Sequence, residues 1–130
     1  MSSLLEISAE VEIYFRDGWT DTAIQYPDTS FNYNGLDAWI AIDVNPVFNE
    51  QIGMDGTSTG RESLTAQASV FCYRRSKKLA IKLADDVKSF FSGVDLPKDI
   101  RVNYAQYNPP NELDNGVWEI KLNFNVVQYS

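Results

Sequence analysis

The sequence predicts one α+β domain, in which a mainly antiparallel sheet of about four to five strands carries two helices on one face. Two segments support this prediction. Within residues 61–93 a period-2 strand pattern changes directly into a helical stripe, and residues 118–126 alternate apolar and polar side chains, as in a strand with one solvated face. At 130 residues the chain can bury one core and is too short for two ordinary domains, so we expect residues 1–130 to form a single domain.

The central segment has the clearest local pattern. Its strand is apolar on one face and polar on the other, with Phe71 as the exception. The apolar face comprises Leu64, Ala66, Ala68, Val70 and Cys72. From Ser76 onward the apolar residues recur at three- and four-residue steps: Leu79, Ala80, Leu83, Ala84, Val87, Phe90 and Phe91. Ser76 suits a helix N-cap and Gly93 suits the left-handed residue that follows many helices, so a helix is expected between them.

Residues 4–16 fit two periods. Leu4, Ile7, Val11 and Tyr14 form a helical stripe, whereas the odd-numbered residues from Ile7 onward also alternate with polar neighbours. The content of Leu, Glu and Ala favours a helix, and the following Asp17-Gly18 pair is a suitable end for it. We therefore expect a helix here.

Four further strands are expected. A short one covers residues 23–26, and a longer one covers residues 39–48 and bends or reaches a sheet edge at Pro46, because proline cannot donate to the strand ladder. Near the end of the chain Ile100, Val102 and Tyr104 share one face of a strand. This strand and the final one should pair as an antiparallel hairpin across residues 109–116.

Residue types argue against catalysis. The chain has no histidine, which removes the commonest general base and metal ligand. The single cysteine, Cys72, falls on an apolar strand face, which predicts a buried and unreactive thiol. Asp85 and Asp86 are adjacent on a helix and should diverge rather than share a metal or a proton. We expect no enzymatic activity, no cofactor and no metal site.

Charge is distributed unevenly. The net charge of −7 argues against general nucleic-acid binding. Residues 1–60 hold ten acids and one base, whereas residues 61–130 hold eight acids and ten bases. One basic cluster lies where the central strand meets its helix: Arg74, Arg75, Lys77, Lys78 and Lys82.

The cluster has two interpretations. Its lysines lie in the first helical turn, where the helix dipole disfavours positive charge. This placement favours a contact with the acid-rich half of a neighbouring copy, because a head-to-tail interface uses two different surfaces. The alternative is a solvated charged corner.

The segment EQIGMDGTSTG, residues 50–60, contains three glycines and predicts a long hairpin connection. Such connections often contact partners. The candidate contact residues are Gln51, Met54, Asp55, Thr57, Ser58 and Arg61. The alternative is a surface tip without a partner.

Aromatic residues allow a different class of function. The chain has three tryptophans and seven tyrosines, which a carbohydrate- or peptide-binding module of a virion or cell-surface assembly could use to stack on its ligand. Trp118 falls on the apolar face of its strand, however, and is expected in the core.

Several stretches follow one another in an order typical of a known family. QYPDTSF leads to a strand around AWIAIDV, a glycine-rich connection ends in Gly60-Arg61, LTAQASVFCY runs into KKLAIKLADDVKSFF, and two strands close the chain. In this order the chain resembles the tail terminator proteins of long-tailed bacteriophages.

The resemblance implies a structural protein of the virion, assembled in the host cytoplasm and located in the tail at the head–tail junction. It implies a hexameric ring that caps the tail tube, stops its polymerisation and joins the head-completion, or neck, proteins. The implied partners are further copies of the chain, the major tail tube protein and a neck protein. Genomic DNA would pass through the lumen without specific binding, and neither a cofactor nor a membrane is implied.

Overall fold

A computed structural model describes residues 4–27, 31–32, 35–46 and 63–129. Two helices and seven strands follow in the order α1 (Leu4–Gly18), β1 (Ala23–Gln25), β2 (Ala38–Pro46), β3 (Ser63–Arg74), α2 (Lys77–Phe91), β4 (Asp95–Leu96), β5 (Ile100–Tyr107), β6 (Asn111–Glu112) and β7 (Trp118–Tyr129). A 3-10 turn, Asp114–Gly116, lies between β6 and β7. The predicted α+β class with two helices is confirmed.

All seven strands belong to one sheet, ordered β1-β2-β3-β7-β5-β4, with β6 pairing to β7. The pair β1–β2 is parallel and every other pair is antiparallel. The sheet is therefore larger than the expected four to five strands and is mixed. The difference arises because β4 and β6 have two residues each, too few to show a period.

The centre of the sheet is the pairing of β3 with β7, which runs in unbroken register from Ser63↔Tyr129 to Arg74↔Trp118. The alternation predicted for both strands is confirmed, since Ala68, Val70, Leu122 and Phe124 are buried on the helix-covered face. The predicted hairpin of the last two long strands is also confirmed, because β5 pairs antiparallel with β7.

Residues 4–16 belong to α1, so the helical interpretation of this segment is confirmed. Ile7, Val11 and Phe15, at four-residue steps, are fully buried on its inner side. The helix contacts β2 and β3, and it also contacts β4 at the other end of the strand order. The sheet therefore curls around α1.

The ends of α2 follow the predicted capping. The Ser76 hydroxyl accepts a hydrogen bond from the Leu79 amide at 3.4 Å, and Gly93 has φ +73° just beyond the last turn. Aromatic rings then join the two helices to the sheet. Ring centroids lie 4.7 Å apart for Tyr14 and Phe90 and 4.8 Å apart for Phe91 and Phe124. Such pairs each add about 0.5–1.5 kcal/mol beyond their buried area.

One predicted strand face is wrong. Tyr104 was expected beside Ile100 and Val102, but its side chain is 72% exposed and Ala105 is buried instead. The register with β7 shifts between Val102 and Ala105, which marks a β-bulge. One additional residue in a strand moves every later side chain to the opposite face.

The expected hairpin connection of residues 50–60 lies outside the described residues. The same holds for its candidate contact residues, Gln51, Met54, Asp55, Thr57, Ser58 and Arg61. The strand predicted for residues 39–48 is described as far as Pro46, where β2 ends. Among the described helices, none has the length and apolar character needed to cross a bilayer.

Candidate functional site

The basic cluster divides at the corner between β3 and α2. Arg74 is half-buried, and its Nε has no hydrogen-bond partner among the described residues. Lys77 leans over Trp118, with Nζ 5.6 Å from the ring centroid. Arg75 lies beside Asp37, with Nε 3.9 Å from Oδ1. Basic residues that are close in sequence therefore face in different directions, because β3 ends and α2 begins within the cluster.

Four of the five basic residues are exposed, and three of them, Arg75, Lys78 and Lys82, lie near one apolar side chain of α2. Lys82 pairs with Asp86 at 3.1 Å, and Lys78 makes no ion pair with any described residue. Leu79, predicted in the buried stripe, lies at its edge and is 40% exposed. We call Arg75, Lys78, Leu79 and Lys82 the α2 surface. It presents positive charge around an accessible leucine.

A groove of about 310 Å³ lies between α1 and the turn that follows β4. We call it the α1–β4 groove. Its lining residues are Glu10, Ile13, Tyr14, Asp17, Gly18, Leu96 and Pro97. The walls are mainly apolar, and Ile13 is 37% exposed there. Two of the lining residues are acidic, Glu10 beside Lys98 and Asp17 beside Arg16, and none of the lining residues is basic.

Ion pairs and hydrogen bonds fix the turn that borders this groove. Lys98 Nζ lies 3.5 Å from Glu10 Oε2 and 4.0 Å from Glu6 Oε2. The Lys98 carbonyl accepts a hydrogen bond from Gln128 Nε2 at 3.2 Å. The Asp99 carbonyl accepts one from the Tyr129 backbone amide at 3.0 Å. Lys98 and Asp99 have φ of 66° and 60°, a left-handed conformation that costs most residues about 1 kcal/mol or more. The contacts of this turn with α1 and β7 offset that conformational free energy.

The outer face of the sheet carries a network of amide side chains. Asn123 Oδ1 accepts hydrogen bonds from Gln67 Nε2 at 2.6 Å and from Ser69 Oγ at 3.1 Å. Asn123 Nδ2 in turn donates to Asn108 Oδ1 at 3.2 Å. The sequence pattern places Gln67, Ser69 and Asn123 only on polar strand faces, and it places Asn108 in the connection before the last strand. The signal for a network was the run of Asn residues in β7 opposite polar residues of β3, but the strand register was needed to see it.

Aromatic residues occupy the same outer face closer to β2. Trp39 stacks on Tyr73 with centroids 5.0 Å apart, and Lys121 Nζ lies 5.4 Å from the centroid of Phe71. Phe71, the exception in the polar face of β3, is therefore covered by a lysine and by its aromatic neighbours.

The tryptophans offer no open stacking face. Trp19 and Trp39 are buried, and Trp118 is half-buried under Lys77. A carbohydrate- or peptide-binding role would have to depend on other residues.

Asp85, Asp86 and Cys72 are held within the fold. Asp85 accepts a hydrogen bond from the Tyr107 hydroxyl at 2.7 Å, whereas its neighbour Asp86 faces Lys82, so the predicted divergence of the two acids is confirmed. Burial raises the pKa of the Cys72 thiol well above its ordinary value, as expected for an inert cysteine. Among the described residues, no group of three or more His, Cys, Asp or Glu side chains is arranged to hold a metal ion.

Comparison with solved structures extends over the whole chain. The fold superposes on a chain of the virion of a native gene transfer agent particle with a TM-score of 0.66 at 13% identity, covering 100% of both chains. A second solved chain superposes with a TM-score of 0.63 at 12% identity, covering 98% of this chain and 94% of its own length. No family model and no curated protein sequence matches the chain. At these identities the likeness shows a shared fold.

Proposed function

We propose that this chain is a structural protein of a phage-like virion. The observation that carries the proposal is the structural correspondence with a chain of a gene transfer agent virion, which covers 100% of both chains. Several described residues support a structural role, because Asp86 pairs with Lys82, Asp85 accepts a hydrogen bond from Tyr107 and the cysteine is buried.

Within the virion, the proposed role is that of a tail terminator. The sequence resemblance to that family runs through β2, β3, α2 and the closing strands, and it supports a hexameric ring at the head–tail junction. The chain also has two chemically different surfaces, the α2 surface and the α1–β4 groove, and a head-to-tail ring uses two different surfaces. In this role one face of the ring binds the last ring of tail tube protein and the other face binds a neck protein.

The mechanism is geometric. A ring whose one face matches the tube, and whose other face does not, stops further tube subunits from adding. DNA crosses the lumen without sequence-specific contacts, which suits a chain with net charge −7. No bond is made or broken, and no cofactor takes part.

The test is to produce virions with and without this chain and to measure tail-tube lengths by electron microscopy. Without it, we expect tubes of widely varying length that remain unjoined to heads, and supplying the chain should restore a single length. A gold label on the chain should appear at the head–tail junction. Tubes of normal length in the absence of the chain, or a label at another position, would rule out the terminator role.

A further inference from the structure

We infer that the ring is closed by the α2 surface of one copy inserting into the α1–β4 groove of the next. This inference deepens the proposed function, and rests on it, by naming the two surfaces through which copies of the chain meet. The occupant of the groove is a second copy, with Leu79 as the inserted side chain.

The two surfaces are complementary in chemistry. Leu79 follows Lys78 and lies one helical turn before Lys82, and the groove offers the exposed Ile13 one turn from Glu10 and from Asp17. Lys78 has no partner among the described residues of its own chain. Among the described residues, Asp17 pairs with its neighbour Arg16, at 3.1 Å between two exposed side chains, and such pairs contribute little to stability. Both charges are therefore available to a second copy, while the leucine supplies apolar burial.

The two surfaces are also distinct places on one chain. Leu79 lies eleven residues before Phe90, or about 16 Å along α2, and the Phe90 ring packs on Tyr14 beside the groove. Arg75 lies beside Asp37, at the start of β2, whereas the groove borders β4, which ends the strand order on the opposite side. A contact between two different surfaces is heterologous, and it forms a ring when the rotation between copies closes.

The turn beyond β4 prepares the groove for binding. Pro97 lines the groove, and the next two residues have left-handed conformations that are held by contacts within the chain. Lys98 contacts Glu10 and Gln128, and the Asp99 carbonyl accepts a hydrogen bond from the Tyr129 amide. Because the wall is already fixed in the single chain, little conformational entropy is lost when a second copy binds.

The first experiment measures self-association by sedimentation velocity at ionic strengths of about 0.01 M and about 0.15 M. Lys78→Glu and Asp17→Lys should each lower the association constant about tenfold or more at the lower ionic strength, because each places like charges together. The double variant Lys78→Glu/Asp17→Lys should restore association, since every contact then carries the same pair with the signs exchanged. Glu112→Lys, an exposed acid on β6, is the control for added positive charge and should have no effect.

The second experiment tests the apolar part of the contact. Leu79→Ser should weaken association about tenfold at both ionic strengths, because loss of apolar burial is not screened by salt. Leu5→Ser is its matched control: this α1 leucine is 80% exposed but does not line the groove, and its variant should associate like the parent chain. Circular dichroism of each variant checks that the fold is retained.

Three results would overturn the contact: a parent chain that stays monomeric at about 1 mM, single variants that associate normally, or a double variant that associates no better than either single one. Failure of the contact and failure of the proposed function are separable. Abnormal tubes without the chain, together with unaffected association of the variants, would leave the terminator role standing with a different interface. A verified contact together with normal tubes would leave a ring with another role.

Discussion

Gly18 ends α1 against the ring of Phe90, so closely that a Cβ on Gly18 would lie 2.9 Å from Phe90 Cζ and 3.0 Å from Cε1. Phe90 is itself packed on Tyr14, Phe15 and Trp19, so the ring has little freedom to move. The contact between Gly18 and Phe90 limits how closely α1 and α2 approach each other.

Gly18→Ala should therefore lower the free energy of unfolding by about 1–3 kcal/mol, the usual cost of overpacking. Chemical denaturation measures it. In a Phe90→Leu background the same substitution should cost clearly less, because the smaller side chain leaves room for the new methyl group. Equal costs in the two backgrounds would show that the contact with Phe90 is not the cause.

The turn at Lys98 and Asp99 allows strain and ion pairing to be separated. Asp99→Gly should raise the free energy of unfolding by about 0.5–1 kcal/mol, because glycine adopts a positive φ without steric cost. Lys98→Gly relieves the same kind of strain but removes the partner of Glu10, whose side chain is only 10% exposed. It should be less stable than Asp99→Gly by about 1–3 kcal/mol. If the two variants are equally stable, the ion pair contributes nothing.

The amide network should stabilise the sheet. Asn123→Ala leaves the amide of Gln67 and the hydroxyl of the buried Ser69 without their acceptor, so we expect a loss of about 1–3 kcal/mol in unfolding free energy. Asn125→Ala is the control, since this exposed residue lies two positions along the same face of β7. Its effect should stay within about 0.5 kcal/mol. Similar losses from both substitutions would show that the hydrogen bonds of Asn123 do not stabilise the sheet.

Stability should fall at alkaline pH because of Tyr107. Partial burial, followed by the hydrogen bond to Asp85, raises the pKa of Tyr107 from 10.0 to about 12. A group whose pKa is higher in the folded state contributes stability that is complete below pH 10 and is lost as pH rises toward 12. Denaturation midpoints measured across this range should therefore decline more steeply for the parent chain than for Tyr107→Phe. Parallel declines would contradict the assignment. Asp85→Asn removes the charged acceptor and should give an intermediate slope.

Strong periodicity was sufficient to predict most of the larger elements. The stripe of α2, its Ser76 cap and the alternation of β7 each repeat one signal over many residues, so tertiary structure had little to override. For α1 both periods were present. Composition favoured the helix correctly, and burial of Ile7, Val11 and Phe15 in the fold is what makes it stable.

Other features depended on partners distant in sequence. The bulge in β5 contains no glycine, so nothing in the strand itself signalled that Tyr104 would face outward. The parallel pairing of β1 with β2 likewise left no local trace, because three residues show no period.

The candidate site was only partly predictable for the same reason. The basic cluster was visible as a composition, but the turn from β3 into α2 separates Arg74 from the three lysines of α2, and one of these, Lys77, leans over Trp118. The α1–β4 groove brings residues 10–18 together with residues 96–97, some eighty positions away, and the curl of the sheet forms it. The long connection of residues 50–60 stays a prediction, as does its contact with a partner.

The position of β7 between β3 and β5 also affects how the protein is made. Strand β7 is at the middle of the sheet but is translated after every other described element. The apolar faces of β2, β3 and α2 therefore stay exposed on the nascent chain until β7 has been synthesised. Folding must then pair segments far apart in sequence, which is slow compared with forming local structure.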